Sequence, residues 1–290
     1  MDRERSHFVQ LNGLRFHYLT WGASSAPLLI CLHGLRSYGR TFAGLAEMLA
    51  DRFHVLALDQ RGRGETEWDP EQNYFATNYA DDLGALIDHL GVEKAHLLGH
   101  SMGGINALTY ALDHAQRFAS LILEDSGPEA ADGDSAGIGR ILNELRTTPL
   151  SFDGYDAARA FWRSIRPNVT EEAIASRVAN SMKEVDGKVV WRHDQLGIGK
   201  CRIEQAETRP NPDLWPAVEK LACPTLVLRG ANSDYLDPAR VERMCAVNPL
   251  VTAKEIEGAG HYVHDDNPVD FNAAVAEFLD CVEASGKSKD

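Results

Sequence analysis

Five short stretches of this chain are apolar almost without interruption. They are "PLLICLHG", "HVLALDQRG", "KAHLLGHS", "SLILED" and, much later, "TLVLRG". A strand with one face in water alternates apolar and polar residues; a run with no alternation has both faces covered. Helix-length segments separate these runs, around Phe42 to Leu49, Tyr79 to Leu90 and Gly103 to Leu112. Strand, helix, strand in this rhythm implies a mostly parallel sheet with helices on both sides, an α/β fold. Ahead of it, "FVQLNGLRFHYLTWG" alternates on either side of Asn12-Gly13, the dipeptide of a two-residue hairpin.

The rhythm breaks between Asp125 and Thr225. About a hundred residues pass there with helical periodicity and no convincing buried strand. Expected helices are Gly137 to Leu145, Ala157 to Ile165 and Thr170 to Met182, the last opened by Thr170 with Glu171 and Glu172 behind it. "DGKVVWRHD" reads as a short extended piece. The α/β pattern then resumes, with a helix near Pro238 to Val247, the strand "TAKEIEG" and a closing helix near Pro268 to Val282. The tail "EASGKSKD" is expected to fray. The division that follows is a core of residues 1–126 and 216–290, with 127–215 inserted as a helical cap.

The 290 residues supply enough apolar side chain for one large core. Asp plus Glu number 43 against 29 Lys plus Arg, a net charge of −14 that repels nucleic-acid phosphates and anionic lipid surfaces. No apolar run approaches the roughly 20 residues of a membrane span. With charges of both signs and no apolar segment in "MDRERSHFVQLNG", a cytoplasmic location is expected. Five widely spaced cysteines without a CxxC pair read as free thiols.

Gly99-His100-Ser101-Met102-Gly103 stands where a buried strand ends and a helix begins. A sharp strand-to-helix turn leaves no room for large neighbours, so glycines flank a serine held up at the sheet edge. The Met102 amide opens the helix, where its N–H and the helix dipole can stabilise an oxyanion. A serine hydroxyl requires a base. Of eleven histidines, His261 in "EGAGHYVHDDNP" follows the last strand, on a loop at the sheet's carboxyl edge. His264 reads as a surface loop residue, His33 as part of the oxyanion loop, and His100 as packing beside the nucleophile. Asp59 reads as a loop brace, and Asp81 and Asp82 as acids opening a helix.

The pieces "HGLRS", "DQRGRGET", "GHSMGG", "LRGANSDYLDP" and "GAGHYVHDDNP" occur in an order that resembles the α/β-hydrolase fold superfamily over nearly the whole chain. The resemblance implies Ser101 as nucleophile, His261 as general base, the amides of Leu35 and Met102 as oxyanion hole, and a lid from Gly127 to about Trp215. Two positions compete for the acid. Most members carry it after the next-to-last strand, where Asp234 lies one residue beyond the usual place; some carry it before the lid, where Asp125 stands. Asp125 is favoured and Asp234 kept as the alternative. In the lid, Trp162 and Trp191, with Phe161, are candidate pocket residues. Arg36, Arg163 and Arg192 are candidate carboxylate binders. Serine at the elbow excludes the dehalogenase and epoxide hydrolase branches, which carry aspartate there.

The expected activity is carboxylesterase-like, a serine hydrolase cleaving a carboxylic ester of a small or medium substrate through an acyl-enzyme. Amide or enamide, lactone and carbon–carbon hydrolysis stay open as alternatives, as does a ligand-binding sensor on a hydrolase fold. No nucleotide or metal pattern is found, so no cofactor and no metal are expected. The expected partner is a small-molecule substrate, with no nucleic acid and no membrane; a homodimer is left open.

Overall fold

The computed structural model describes residues 4–128, 136–166, 169–204 and 210–287. The chain opens with β1 (Arg5–Leu11) and β2 (Leu14–Trp21), joined at Asn12-Gly13 with both residues at positive φ, 46° and 81°. Their backbone twist matches that of the strands they join, as the dipeptide foretold. Then follow β3 (Leu28–Leu32), α1 (Ala43–Leu49), β4 (His54–Asp59), α2 (Ala76–His89), β5 (Ala95–His100), α3 (Met102–His114) and β6 (Phe118–Glu124).

The segment before the next core strand holds α4 (Ala136–Thr147), β7 (Ser151–Phe152), α5 (Tyr155–Ile165), α6 (Glu171–Ser181), β8 (Met182–Val185), β9 (Lys188–Trp191) and α7 (Gln195–Gly199). After it come α8 (Trp215–Lys220), β10 (Thr225–Gly230), α9 (Pro238–Val247), β11 (Val251–Ile256), α10 (Val263–Asp266) and α11 (Pro268–Lys287).

Eight strands form one sheet in the order β1-β2-β4-β3-β5-β6-β10-β11, antiparallel at the hairpin and between β2 and β4, parallel elsewhere. β3, β5 and β10 are buried along their whole length, which is why they read as unbroken apolar runs. One core lies under α2, α3 and α8, with Leu83, Leu86, Leu108 and Val218. The other lies under α1 and α11, with Leu45, Leu49, Phe271 and Leu279.

Three expectations need correction. The inserted segment is not purely helical, because β7, β9 and β8 make a three-stranded antiparallel sheet. Its β8–β9 turn is Asp186-Gly187, at φ 50° and 75°. "MKEV" escapes a pattern reading because only Met182 of that strand is buried. Asp81 and Asp82 do not open α2, which starts at Ala76; Asp82 is buried and takes two hydrogen bonds from Arg61, at 2.7 and 2.8 Å. The closing helix runs on to Lys287 instead of fraying after Val282, while Ser288 to Asp290 lie outside the described residues. Thr170 caps α6 as expected, its hydroxyl accepting from the Ala173 amide at 3.2 Å. No helix among the described residues is long and apolar enough to cross a membrane.

Candidate active site

β5 ends at His100, and α3 begins at Met102. Ser101 must turn the chain between them, at φ 51° and ψ −116°, a conformation that L-residues avoid and that persists where surrounding structure over-determines it. The flanking glycines are steric necessities. A Cβ on Gly103 would lie 2.1 Å from the Leu32 carbonyl oxygen, and one on Gly99 would lie 2.6 Å from the backbone of Gly103 and Gly104.

The Ser101 hydroxyl donates to His261 Nε2 at 2.9 Å, and His261 Nδ1–H donates to Asp125 Oδ2 at 2.7 Å. All three side chains are buried. Asp125 stands just past β6 with φ 44°, and its own amide bonds the Leu228 carbonyl at 2.7 Å, tying it to β10. Ser233 donates to the same Oδ2 at 2.6 Å. The residue three beyond Gly230, where a carboxylate was sought and a serine found, thus serves to hold the carboxylate of Asp125. Asp234 is excluded as the partner of His261: it is half-exposed and is gripped by Arg140 through two bonds of 2.9 and 2.8 Å.

Burial pushes the Asp125 carboxyl up, opposed by the Ser233 hydroxyl, the Gly230 amide and the charge of Arg229. Burial first, and then the cations Arg140 and Arg166, hold the His261 imidazole well below its ordinary value. At neutral pH the ring is therefore uncharged, with its Nε2 lone pair facing the serine.

The loop after β3 passes beside this group, since a Cβ on Gly34 would lie 3.5 Å from the Ser101 Cβ. His33 lies on this loop and braces it: Nδ1–H donates to the Gly34 carbonyl at 2.8 Å, and Nε2 accepts from the Gln60 amide at 3.1 Å. Arg63, fully buried, donates to the Leu35 carbonyl at 3.1 Å and contacts Met102 Sδ at 3.5 Å. It thereby ties together the two residues whose amides were expected to receive an oxyanion; the Met102 amide, first in its helix, has no intrahelical acceptor. Asp59 braces the next loop, accepting from the Gly39 and Glu65 amides at 2.6 and 3.0 Å.

The expected pocket residues fare differently. Trp162 and Trp191, 1% and 2% exposed, belong to an apolar cluster inside the inserted segment with Phe152, Ile174 and Val178; they are its core, not a pocket wall. Trp191 Nε1–H donates to the Pro149 carbonyl at 2.7 Å. Arg36 is buried and committed to Thr148, at 2.9 Å, and to Glu144. Arg163 serves Glu171 and the Val169 carbonyl, and Arg192 serves Glu65 and the Met182 carbonyl.

Two other arginines stand closer to the site. Arg166, at the end of α5, stacks on the ring of Tyr262, the neighbour of His261, and forms no carboxylate pair among the described residues. Arg177 on α6 pairs with Asp265 and lies over the same ring at 5.2 Å. Burial and the charges of Arg177, Arg36 and Arg140 depress the Arg166 guanidinium well below its usual range, so four cations crowd one another there. Pattern reading missed Arg140, Arg166 and Arg177 because nothing in their local sequence separates them from surface arginines.

His264 also needs correction. It is no surface residue: its backbone N–H and Nδ1–H donate to Glu124 Oε1 at 2.9 and 2.6 Å. With His100 the pair forms the one group among the described residues whose ligand-type atoms approach within 4.8 Å of one another, as a metal site would require. Burial pushes Glu124 up to about 7 and holds His264 down at about 3.

A parallel sheet with a strained serine at one strand end, and with a buried Ser–His–Asp chain assembled from three separate loops, defines a class of hydrolases. The chain belongs to the alpha/beta hydrolase fold family, whose sequence model matches residues 27–268. It is 28% identical over 256 residues to the 2-(acetamidomethylene)succinate hydrolase of Mesorhizobium japonicum, covering 88% of this chain and 89% of that one. It is 31% identical over 258 residues to the 3-hydroxybutyrate-oligomer hydrolase of Cupriavidus necator, covering 85% and 87%. The crystal structure of E-2-(acetamidomethylene)succinate hydrolase superposes with a TM-score of 0.85 at 27% identity, covering 96% of this chain and all of that one.

Proposed function

We propose that this hydrolase acts through Ser101 and cleaves an ester or amide bond in a small substrate that bears a carboxylate. The observation that carries the reading is the continuous hydrogen-bonded chain from the Ser101 hydroxyl through His261 to Asp125. In this mechanism His261 Nε2 takes the serine proton as Oγ attacks the carbonyl carbon. Asp125 holds the ring in the Nδ1–H tautomer and stabilises the imidazolium that forms. The amides of Leu35 and Met102 receive the oxyanion, whose stabilisation is worth about 3 kcal/mol per donor. The imidazolium then protonates the leaving oxygen or nitrogen, and His261 activates water to release the acid from the acyl-enzyme. No step calls for a metal or cofactor.

Residues 127–215 act in this reading as the cap over the site. The carboxylate preference rests on Arg166, stacked on the ring of Tyr262 next to His261 and without an ion pair among the described residues, whereas Arg140, Arg36 and Arg177 each hold a carboxylate of the chain. A substrate carboxylate is the missing counter-ion, and a guanidinium fork matches its geometry. The first relative's name specifies a substituted succinate, a dicarboxylate, and the second a 3-hydroxybutyrate oligomer. The bond type, amide or ester, is read by offering succinate-type substrates of each kind alongside neutral p-nitrophenyl acetate. Turnover of the dicarboxylates, lost in Ser101→Ala, is the expected result. Equal activity of Ser101→Ala and the unaltered protein would refute the mechanism, and turnover of the neutral ester alone would refute the substrate class.

A further inference from the structure

Behind Ser101, His261 and Asp125 stands a second polar layer, offset from the first by a residue or a helical turn. His100 precedes Ser101, Glu124 precedes Asp125, and His264 follows His261 by three. His100 and Glu124 are in-register partners on β5 and β6. The His100 ring packs between those of His261 and His264, with centroids 5.0 Å from each.

The layer is sealed: Glu124 and His100 are wholly buried and His264 nearly so. Glu124 Oε1 grips α10 by the amide and the Nδ1–H of His264, and Thr41 donates to His264 Nε2 at 3.0 Å. His100 Nε2–H donates to the backbone carbonyl of His261 itself, at 2.9 Å. The two ends of the short segment His261–His264 are therefore held by β5 and β6, the strands that deliver Ser101 and Asp125. Glu124 Oε2 and His100 Nδ1 have no hydrogen-bond partner among the described residues. Burying polar atoms unsatisfied works against stability, so an apolar pair would serve a merely structural role better.

We propose that Glu124 is a positioning residue for the proton transfer: by clamping His264, with His100 clamping the His261 carbonyl, it sets the His261 ring at its hydrogen-bonding distance from Ser101. The inference rests on the Ser101 mechanism above. Its premise is geometric, since misplacing a reacting group by about 1 Å can slow chemistry about a hundredfold. Glutamine can accept the same two N–H groups at Oε1, whereas alanine can accept neither.

The test measures kcat and KM of the full chain with p-nitrophenyl acetate for Glu124→Ala, Glu124→Gln and Ser101→Ala. Glu124→Ala is expected to lower kcat by about ten- to a hundredfold with KM within about twofold. Glu124→Gln is expected to restore kcat to within about threefold, and to keep the downfield proton resonance of the His261–Asp125 hydrogen bond that alanine loses. If Glu124→Ala keeps its full kcat, or if glutamine is as damaging as alanine, the clamp is refuted. Should Glu124→Ala fail to fold, His264→Phe keeps the ring volume and the backbone donor but removes Nδ1–H; the same loss of kcat supports the clamp, and unchanged kcat refutes it. Activity surviving in Ser101→Ala would instead overturn the mechanism itself, leaving the two failures distinguishable.

Discussion

At the carboxyl ends of β5, β6 and β10, the groups that matter are held by backbone. Ser101 is fixed by a strained turn and by its amide on the Glu124 carbonyl at 3.0 Å, and Asp125 by its amide on the Leu228 carbonyl. The segment between β6 and β10 meets this edge through long charged side chains: Arg140 on Asp234, Arg36 on Glu144, Arg177 on Asp265 and Arg166 on Tyr262. Backbone placement specifies where a reaction happens, and side-chain placement tunes what is bound there. The first kind tolerates little change; the second can be altered residue by residue.

The sharpest way to break this contrast is to remove each carboxylate in turn. Asp125→Asn leaves the ring without its orienting acceptor and should reduce kcat about 10⁴-fold. Asp234→Asn, which loosens only a half-exposed pair with Arg140, should change kcat by less than about threefold. Steady-state kinetics of the two purified variants decide it, and a large loss in Asp234→Asn would erase the distinction. Next in size is Trp162→Ala, which empties the core of the inserted segment. It should destabilise that segment by about 3–5 kcal/mol, read as a lowered melting temperature. A raised KM with unchanged melting would return Trp162 to the pocket wall.

Arg166→Met probes the binding side. KM for a dicarboxylate should rise about ten- to a hundredfold, the equivalent of one charge-assisted hydrogen bond, while KM for a neutral ester stays within about twofold. The same variant links the two regions through pH. A nearby cation opposes charging of His261, so removing Arg166 raises the imidazole pKa. The acid limb of kcat/KM, which lies below the ordinary histidine range in the unaltered protein, should move to higher pH. An unmoved limb with a raised KM would confine Arg166 to binding. The smallest effect is expected of Thr170→Ala, which deletes the hydroxyl capping α6 and should lower stability by about 1 kcal/mol in a thermal melt, without change in kcat.

Much of the core was legible because local rules and tertiary structure agree there. Asn12-Gly13, the unbroken β3 and the glycines around Ser101 each answer a backbone demand that neighbouring residues reveal. His261 was legible from its place after the last strand. His264 was misread because the polar string "HYVHDDNP" looks exposed, whereas α10 turns it inward onto Glu124. The acid was legible only as a choice between two positions. Ser233 in the usual slot is the trace that the carboxylate had moved, and it yields its meaning only once its hydroxyl is seen on Asp125.

By itself, then, the order of residues determined a doubly covered parallel sheet, a serine perched at a strand-to-helix bend and the histidine that faces it. These depend on periodicity and on steric limits that act over a few residues. Tertiary structure alone decided which aspartate completes the chain, that the tryptophans are core, and that Arg166 lies beside Tyr262 with no carboxylate paired to it among the described residues. Those outcomes depend on contacts between residues far apart in the chain, Asp125 with His261 and α5 with the loop after β11, whose energies no local pattern encodes.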